Sequence, residues 1–129
     1  MVANFPALVT ALALVLYVAV FMAAGRARAQ YNIKAPAITG PPEFERAFRV
    51  QQNTVEQLIL FLPALWLFTT YVSAFWAGIL GLVWIAGRTY YAFCYYRDPE
   101  TRGPGFITAM AASFVLLLGG LIGVVAALT

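Results

Sequence analysis

Three long stretches without a charged side chain constrain the fold of this chain more than any other feature. They cover residues 1–25, 57–87 and 103–129. About 20 consecutive apolar residues are enough for a helix to cross ~30 Å of hydrocarbon. Only 10% of the residues are charged, whereas a soluble domain carries about 25%. The sequence therefore predicts an all-α integral membrane protein.

The lengths of these stretches predict the number of spans. The first and the last supply one helix each, and the segment from Glu43 to Arg97 has room for two helices joined by a turn near residues 69–73. The first stretch is too long for the apolar region of a signal peptide and follows no basic segment, so we expect it to be retained. We predict one four-transmembrane-helix domain over residues 1–129, with spans near 4–24, 47–70, 75–96 and 105–127.

The charged residues predict how the bundle is oriented. They lie around loop 1, near residues 25–45, and loop 3, near residues 97–104. With four spans these loops share one side of the membrane, and the opposite side holds no charged side chain. Cytoplasmic loops carry an excess of Lys and Arg. We therefore expect both loops, and a site built beside them, to face the cytoplasm.

The composition also excludes several classes of site. The chain has no His, so imidazole metal sites and His-based catalytic triads are excluded, and we predict no metal. Its net charge of +3 comes without a basic run, so we predict no nucleic-acid partner. Cys94 is the single cysteine and has no disulfide partner. We interpret it as a small buried apolar residue, with a reactive thiol as the alternative.

A stripe of polar residues marks the second helix. Arg46, Arg49, Asn53, Glu56 and Gln57 recur at spacings of three and four, so they share one helix face that cannot contact lipid. If the helix begins near residue 44, Glu56 lies about 18 Å along it. An ionisable group at that depth costs a few kcal/mol unless it is paired or wetted.

The third helix continues this stripe with Arg88, Tyr91 and Tyr95. Counted from the turn, Arg88 reaches the depth of Glu56, so the two are candidate partners that fix helix packing or take part in a site. The excess of polar groups favours a site. Arginine recognises carboxylates through paired donors, so Arg49, Arg88 and Glu56 would match a small ligand with two carboxylates and one ammonium.

The segment from Gly40 to Gln57, GPPEFERAFRVQQNTVEQ, resembles the signature of the MAPEG superfamily, the membrane-associated proteins in eicosanoid and glutathione metabolism. Its E-R-x-x-R-x-x-x-N-x-x-E core is met from Glu45 to Glu56. The spacing of Arg88, Tyr91, Tyr95 and Arg102 follows the family pattern as well. The resemblance covers most of the chain from loop 1 to loop 3.

The resemblance implies a homotrimer with a glutathione site at each subunit interface. It assigns Arg102 as the catalytic residue that stabilises the glutathione thiolate, and Arg28 as a contribution from a neighbouring subunit. The partners that it implies are glutathione as co-substrate, a hydrophobic second substrate and membrane lipid. Together with the stripe, it gives the glutathione-binding set Arg28, Arg49, Gln51, Asn53, Glu56, Arg88, Tyr91 and Tyr95.

Two positions of this chain differ from the leukotriene-forming members of the family, and they bear on the specificity for the second substrate. The leukotriene-forming members have a tyrosine where this chain has Gln57, and adjacent arginines where Arg28 is followed by Ala29. The sequence thus favours a bacterial-type glutathione transferase or peroxidase acting on hydrophobic electrophiles or lipid hydroperoxides. The alternatives are a non-catalytic lipid-binding scaffold of the lipoxygenase-activating type and a small multidrug-type transporter. A transporter would not explain the signature core.

Overall fold

The computed structural model describes all residues 1–129 and contains four long helices and no strand. The helices are α1 (Phe5–Tyr31), α2 (Pro42–Tyr71), α3 (Ala74–Arg97) and α4 (Gly103–Leu128). Short 3₁₀ turns, Val2–Asn4 and Pro99–Thr101, precede α1 and α4. Each of the four helices is long and apolar enough to cross a membrane. The prediction of an all-α bundle with four membrane-spanning helices is confirmed.

Local sequence explains where these helices begin and end. Asn32 follows α1 in the left-handed conformation, with a φ of 56°, which Asn tolerates better than most residues. Pro42 opens α2, where its missing N–H costs nothing, and Glu43 and Glu45 occupy the first turn at the positive end of the helix dipole. Ser73 precedes α3 and accepts a hydrogen bond of 3.2 Å from the Trp76 backbone N–H.

Two helix ends differ from the predicted spans, both at the charged side of the bundle. α1 continues to Tyr31, so Arg26 and Arg28 lie on the helix and not in loop 1. α2 already begins at Pro42. The predicted limits marked where charge begins, which locates the edge of the hydrocarbon. A helix need not stop there, because Arg, Ala and Gln are all good helix formers.

The core of the bundle is apolar, and so is most of its outer surface. Phe61 of α2 stacks on Trp84 of α3, with ring centroids 4.1 Å apart and planes 5° apart. Large apolar side chains such as Phe21, Phe114 and Ile122 are exposed on the outside. Helices that are apolar on all faces are typical of membrane spans, so this outer surface fits lipid.

Two glycines bring α3 and α4 into close contact near the charged end of the bundle. A Cβ atom placed on Gly105 would lie 2.6 Å from the backbone nitrogen of Tyr91, and one on Gly87 would lie 2.9 Å from the backbone nitrogen of Ala109. Small residues permit this approach of helix backbones in membranes. The crossing holds the beginning of α4, preceded by Arg102, beside the last turns of α3.

Candidate functional site

A cleft of about 510 Å³ opens at the charged end of the bundle, between α2, α3 and the beginning of α4. Its volume is in the range of small-molecule sites. Five residues of the predicted set meet there although they come from three separate segments of the chain. The lining consists of Arg49, Asn53, Tyr91, Tyr95, Glu100, Arg102, Gly103, Phe106 and Ile107.

Two arginines supply the positive charge of this cleft. Arg49 is exposed and its Nη1 lies 3.4 Å from Oε1 of Gln52, a weak contact that leaves most of its donors free. Arg102 donates a hydrogen bond of 2.6 Å from Nη1 to the carbonyl of Pro99. Its guanidinium carbon lies 5.6 Å from the centre of the Tyr95 ring. Both arginines therefore retain donors for an anion.

Arg88 lies behind this cleft and not in its lining. Only 1% of its surface is exposed. Its Nη1 donates to Oδ1 of Asn53 and its Nη2 to Oγ1 of Thr54, each at 2.8 Å. The guanidinium carbon also lies 4.0 Å from the centre of the Tyr91 ring. Arg88 is thus held by the same Asn53 and Tyr91 that face the cleft.

The expected pairing of Glu56 with Arg88 is wrong within one chain. The donors of Arg88 are directed to Asn53 and Thr54, and Glu56 lies on an exposed face of α2. Equal depth along antiparallel helices does not ensure that two side chains face each other, because position around the helix axis decides contact. Glu56 lies three residues from Asn53, on the side of the stripe that turns away from α3.

Arg28 and Gln51 lie apart from the cleft. The guanidinium carbon of Arg28 sits 5.2 Å from the ring centre of Phe44 and 5.7 Å from that of Phe48. Its Nη1 donates a hydrogen bond of 2.8 Å to the carbonyl of Ala37. Gln51 follows Phe48 by three residues on the same face of α2. Arg28 of α1 therefore packs against α2, and Gln51 lies on that side of α2, apart from the cleft.

The structure adds residues that the sequence interpretation did not single out. Glu100, Phe106 and Ile107 complete the lining of the cleft, and Thr54 binds Arg88. For Glu100, the charge in loop 3 was the only sequence signal that could have indicated a place in the lining of the cleft. Phe106 and Ile107 belong to the largely apolar α4, where nothing in the sequence separates a residue that lines the cleft from one that faces lipid. A threonine within a helix likewise does not indicate that it binds an arginine.

The cleft combines two guanidinium groups with one carboxylate, that of Glu100, so its lining is net positive, and it has an apolar wall. Two guanidinium groups, the Asn53 amide and the hydroxyls of Tyr91 and Tyr95 offer donors to carboxylates and to a thiolate. Phe106 and Ile107 form an apolar side, and Ile107 is 67% exposed on the outer surface. The structure contains no group of three His, Cys, Asp or Glu side chains that could hold a metal ion.

Comparison with known proteins agrees with this architecture. The sequence model of the MAPEG family matches residues 6–122. An uncharacterized protein of Synechocystis sp. is 48% identical over 120 residues, which cover 93% of this chain and 88% of that protein. Microsomal glutathione S-transferase 2 of Homo sapiens is 41% identical over 100 residues, covering 78% of this chain and 68% of the relative.

A further relative belongs to the leukotriene-forming branch. Leukotriene C4 synthase of Cavia porcellus is 38% identical over 97 residues, which cover 74% of this chain and 65% of that enzyme. The family match extends through all four helices, beyond the signature segment on which the resemblance first depended. The resemblance is confirmed: this chain is an integral multi-pass membrane protein that belongs to the MAPEG family.

Proposed function

We propose that this protein is a glutathione transferase or peroxidase, which conjugates hydrophobic electrophiles or reduces lipid hydroperoxides, and that the cleft beside α3 and α4 binds glutathione. The observation that supports this most is the joint placement of Arg49, Asn53, Tyr91, Tyr95 and Arg102 around one cleft. Relatives named as microsomal glutathione S-transferase and leukotriene C4 synthase support it further.

The two arginines take different roles in this proposal. Arg49 on α2 binds a carboxylate of glutathione, and Asn53, one turn further along α2, binds beside it. Arg102 on the opposite wall stabilises the thiolate, since a fixed cation lowers the pKa of a nearby thiol and raises its reactive fraction. Tyr91 and Tyr95 line the same cleft, where their hydroxyls donate to the bound ligand.

We also propose that the working protein is a homotrimer with a site at each subunit interface. Glu56 lies about 21 Å along α2 at 1.5 Å per residue, yet it is exposed on a single chain. A carboxylate facing lipid at that depth is costly. A neighbouring chain would cover Glu56. It would also bring Arg28 of its α1 and Gln51 of its α2 toward the cleft. Glutathione then contacts residues of two chains.

The two substrates reach the cleft from different phases. The excess of Arg and Lys near the loops supports a cytoplasmic position for the polar end of the bundle, and glutathione enters from that aqueous side. The electrophile or lipid hydroperoxide enters from lipid, past the exposed side chain of Ile107. An apolar wall selects its ligand mainly by shape. A range of apolar second substrates is therefore expected.

The direct test is turnover by the purified protein in mild detergent. Glutathione is supplied with a set of aryl halides, activated alkenes and lipid hydroperoxides, and conjugate and alcohol products are quantified. We expect glutathione-dependent turnover of at least one compound. Saturable glutathione binding without turnover of any compound would instead favour a non-catalytic lipid-binding scaffold, and absence of both would exclude the proposed function.

A further inference from the structure

We propose that Thr54 and Arg88 are positioning residues that fix the amide of Asn53, so that the glutathione site presents an N–H donor at this position. This inference rests on the proposed function. It predicts that Asn53 donates a hydrogen bond to an oxygen of the ligand, either of a carboxylate or of a peptide carbonyl. Thr54 does not line the cleft and acts only through Arg88.

The orientation of Asn53 follows from the chemistry of its partner. A guanidinium group has donors and no acceptor. The side-chain atom of Asn53 that lies 2.8 Å from Nη1 of Arg88 must therefore be the amide oxygen. The amide nitrogen lies on the other branch of the same planar group. Since Asn53 lines the cleft, its nitrogen offers hydrogen atoms on the open side.

Thr54 fixes the arginine in turn. Its hydroxyl donates a hydrogen bond of 2.7 Å to the carbonyl of Val50, which uses its only hydrogen. The lone pairs of Oγ1 are then left to accept from Nη2 of Arg88 at 2.8 Å. Thr54 and Arg88 are 2% and 1% exposed. Water therefore does not replace this contact, and the arginine has one defined position.

The arrangement has a consequence for specificity. The buried Arg88 carries its charge behind Asn53 with no carboxylate bound to it, so the positive potential extends through the amide toward the cleft. A ligand oxygen at Asn53 meets both an N–H donor and this potential. Charge-assisted hydrogen bonds are roughly twice as strong as neutral ones. A ligand donor at the same place, such as an ammonium, is rejected.

The first experiment removes the Thr54 hydroxyl at nearly constant volume. Thr54→Val is compared with Thr54→Ser, which restores the hydroxyl, and with Thr69→Val as a matched control. Thr69 lies on the same helix and also donates 2.7 Å to the carbonyl four residues earlier, but no arginine binds it. Glutathione affinity is measured by calorimetry, and steady-state kinetics separate KM from kcat.

We expect the glutathione Kd of Thr54→Val to rise about tenfold, the effect of one lost hydrogen-bond contact. The KM for glutathione should rise with it, while kcat and the KM for the second substrate change less than about twofold. Thr54→Ser should recover most of the affinity. Equal affinity in folded Thr54→Val and Thr69→Val would overturn the proposal.

A second variant decides the matter even if Thr54→Val does not fold. Asn53→Asp gives Arg88 a carboxylate, so thermal stability should stay equal or rise, but the second oxygen now faces the cleft as a charged acceptor. The glutathione Kd should rise more than about tenfold. Unchanged binding by Asn53→Asp would refute the donor assignment. Failure of the unmodified protein to bind glutathione would instead reject the proposed function itself.

Discussion

The guanidinium carbon of Arg102 lies 5.6 Å from the centre of the Tyr95 ring, so the residue that precedes α4 contacts the last turns of α3. Both side chains line the cleft. Their contact depends on the close crossing of α3 and α4, where Gly105 approaches the backbone of Tyr91. The geometry of the site is therefore linked to helix packing at one glycine.

Substitution of Gly105 tests that link. The Cβ atom of Gly105→Ala would lie 2.6 Å from the Tyr91 nitrogen and 2.8 Å from the Gly87 carbonyl oxygen. These are backbone atoms, which cannot move aside at low energetic cost. We expect a loss of about 1–3 kcal/mol in stability from overpacking, with weaker glutathione binding. Thermal unfolding in detergent measures the first and calorimetry the second.

Gly25 provides the matched control, because a Cβ atom there meets nothing within 4 Å. Alanine lowers the entropy of the unfolded chain, so Gly25→Ala should be neutral or more stable by about 0.4–1 kcal/mol. Equal stability of the two variants would show that the α3 and α4 backbones are not in tight contact at Gly105.

Arg49 is expected to bind the ligand without holding the bundle together. Its side chain makes one weak contact, at 3.4 Å to Gln52. Arg49→Ala should weaken glutathione binding by about 2 kcal/mol, the contribution of a charged hydrogen bond, and leave thermal stability nearly unchanged. Arg97→Ala serves as the control, since Arg97 is an exposed cation at the same end of the bundle but outside this cleft. A similar loss in both variants would indicate only a general attraction of anions.

The proposed homotrimer predicts how the protein should behave in mild detergent. Crosslinking and native mass measurement should give three chains, and mixing active-site variants should restore activity when the two defects lie on opposite sides of an interface. Arg28→Ala and Arg49→Ala are such a pair, since Arg28 is supplied by the neighbour in the proposed site. A monomer with full activity would contradict the shared site.

The fold was predictable because the bilayer imposes strong constraints on sequence. The uncharged stretches indicated four helices, and the turn between α2 and α3 lies where the lengths placed it, at residues 72–73. The extent of α1 was not predictable from charge, since Arg26 and Arg28 extend the helix beyond the apolar segment. Hydropathy locates the membrane, whereas helix ends depend on caps.

The site was only partly predictable for a similar reason. Spacings of three and four predicted the helix faces on which Asn53 and Tyr91 lie, but they do not predict which faces of two helices pack together. Arg88 thus binds Thr54 in place of Glu56, because the rotation of each helix about its axis decides which side chains meet. The apolar wall at Phe106 and Ile107 carries no signal within a uniformly apolar helix.

The catalytic role proposed for Arg102 predicts a defined dependence of rate on pH. Arg102→Ala removes a cation near the sulfur, so the pKa of bound glutathione should rise and turnover at neutral pH should fall about tenfold for each pKa unit. Binding should change less, because Arg49 and Asn53 remain. Raising the pH should recover part of the lost rate, and Arg102→Lys should behave between the two proteins.

Thiolate absorbance of glutathione bound to the purified protein, titrated with pH, tests thiol activation most directly. A free thiol has a pKa of about 8.5. We predict a midpoint clearly below that value for the unmodified protein and a return toward it in Arg102→Ala. A midpoint equal to that of free glutathione in the unmodified protein would contradict thiolate activation, and an equally lowered midpoint in both proteins would remove Arg102 from the mechanism.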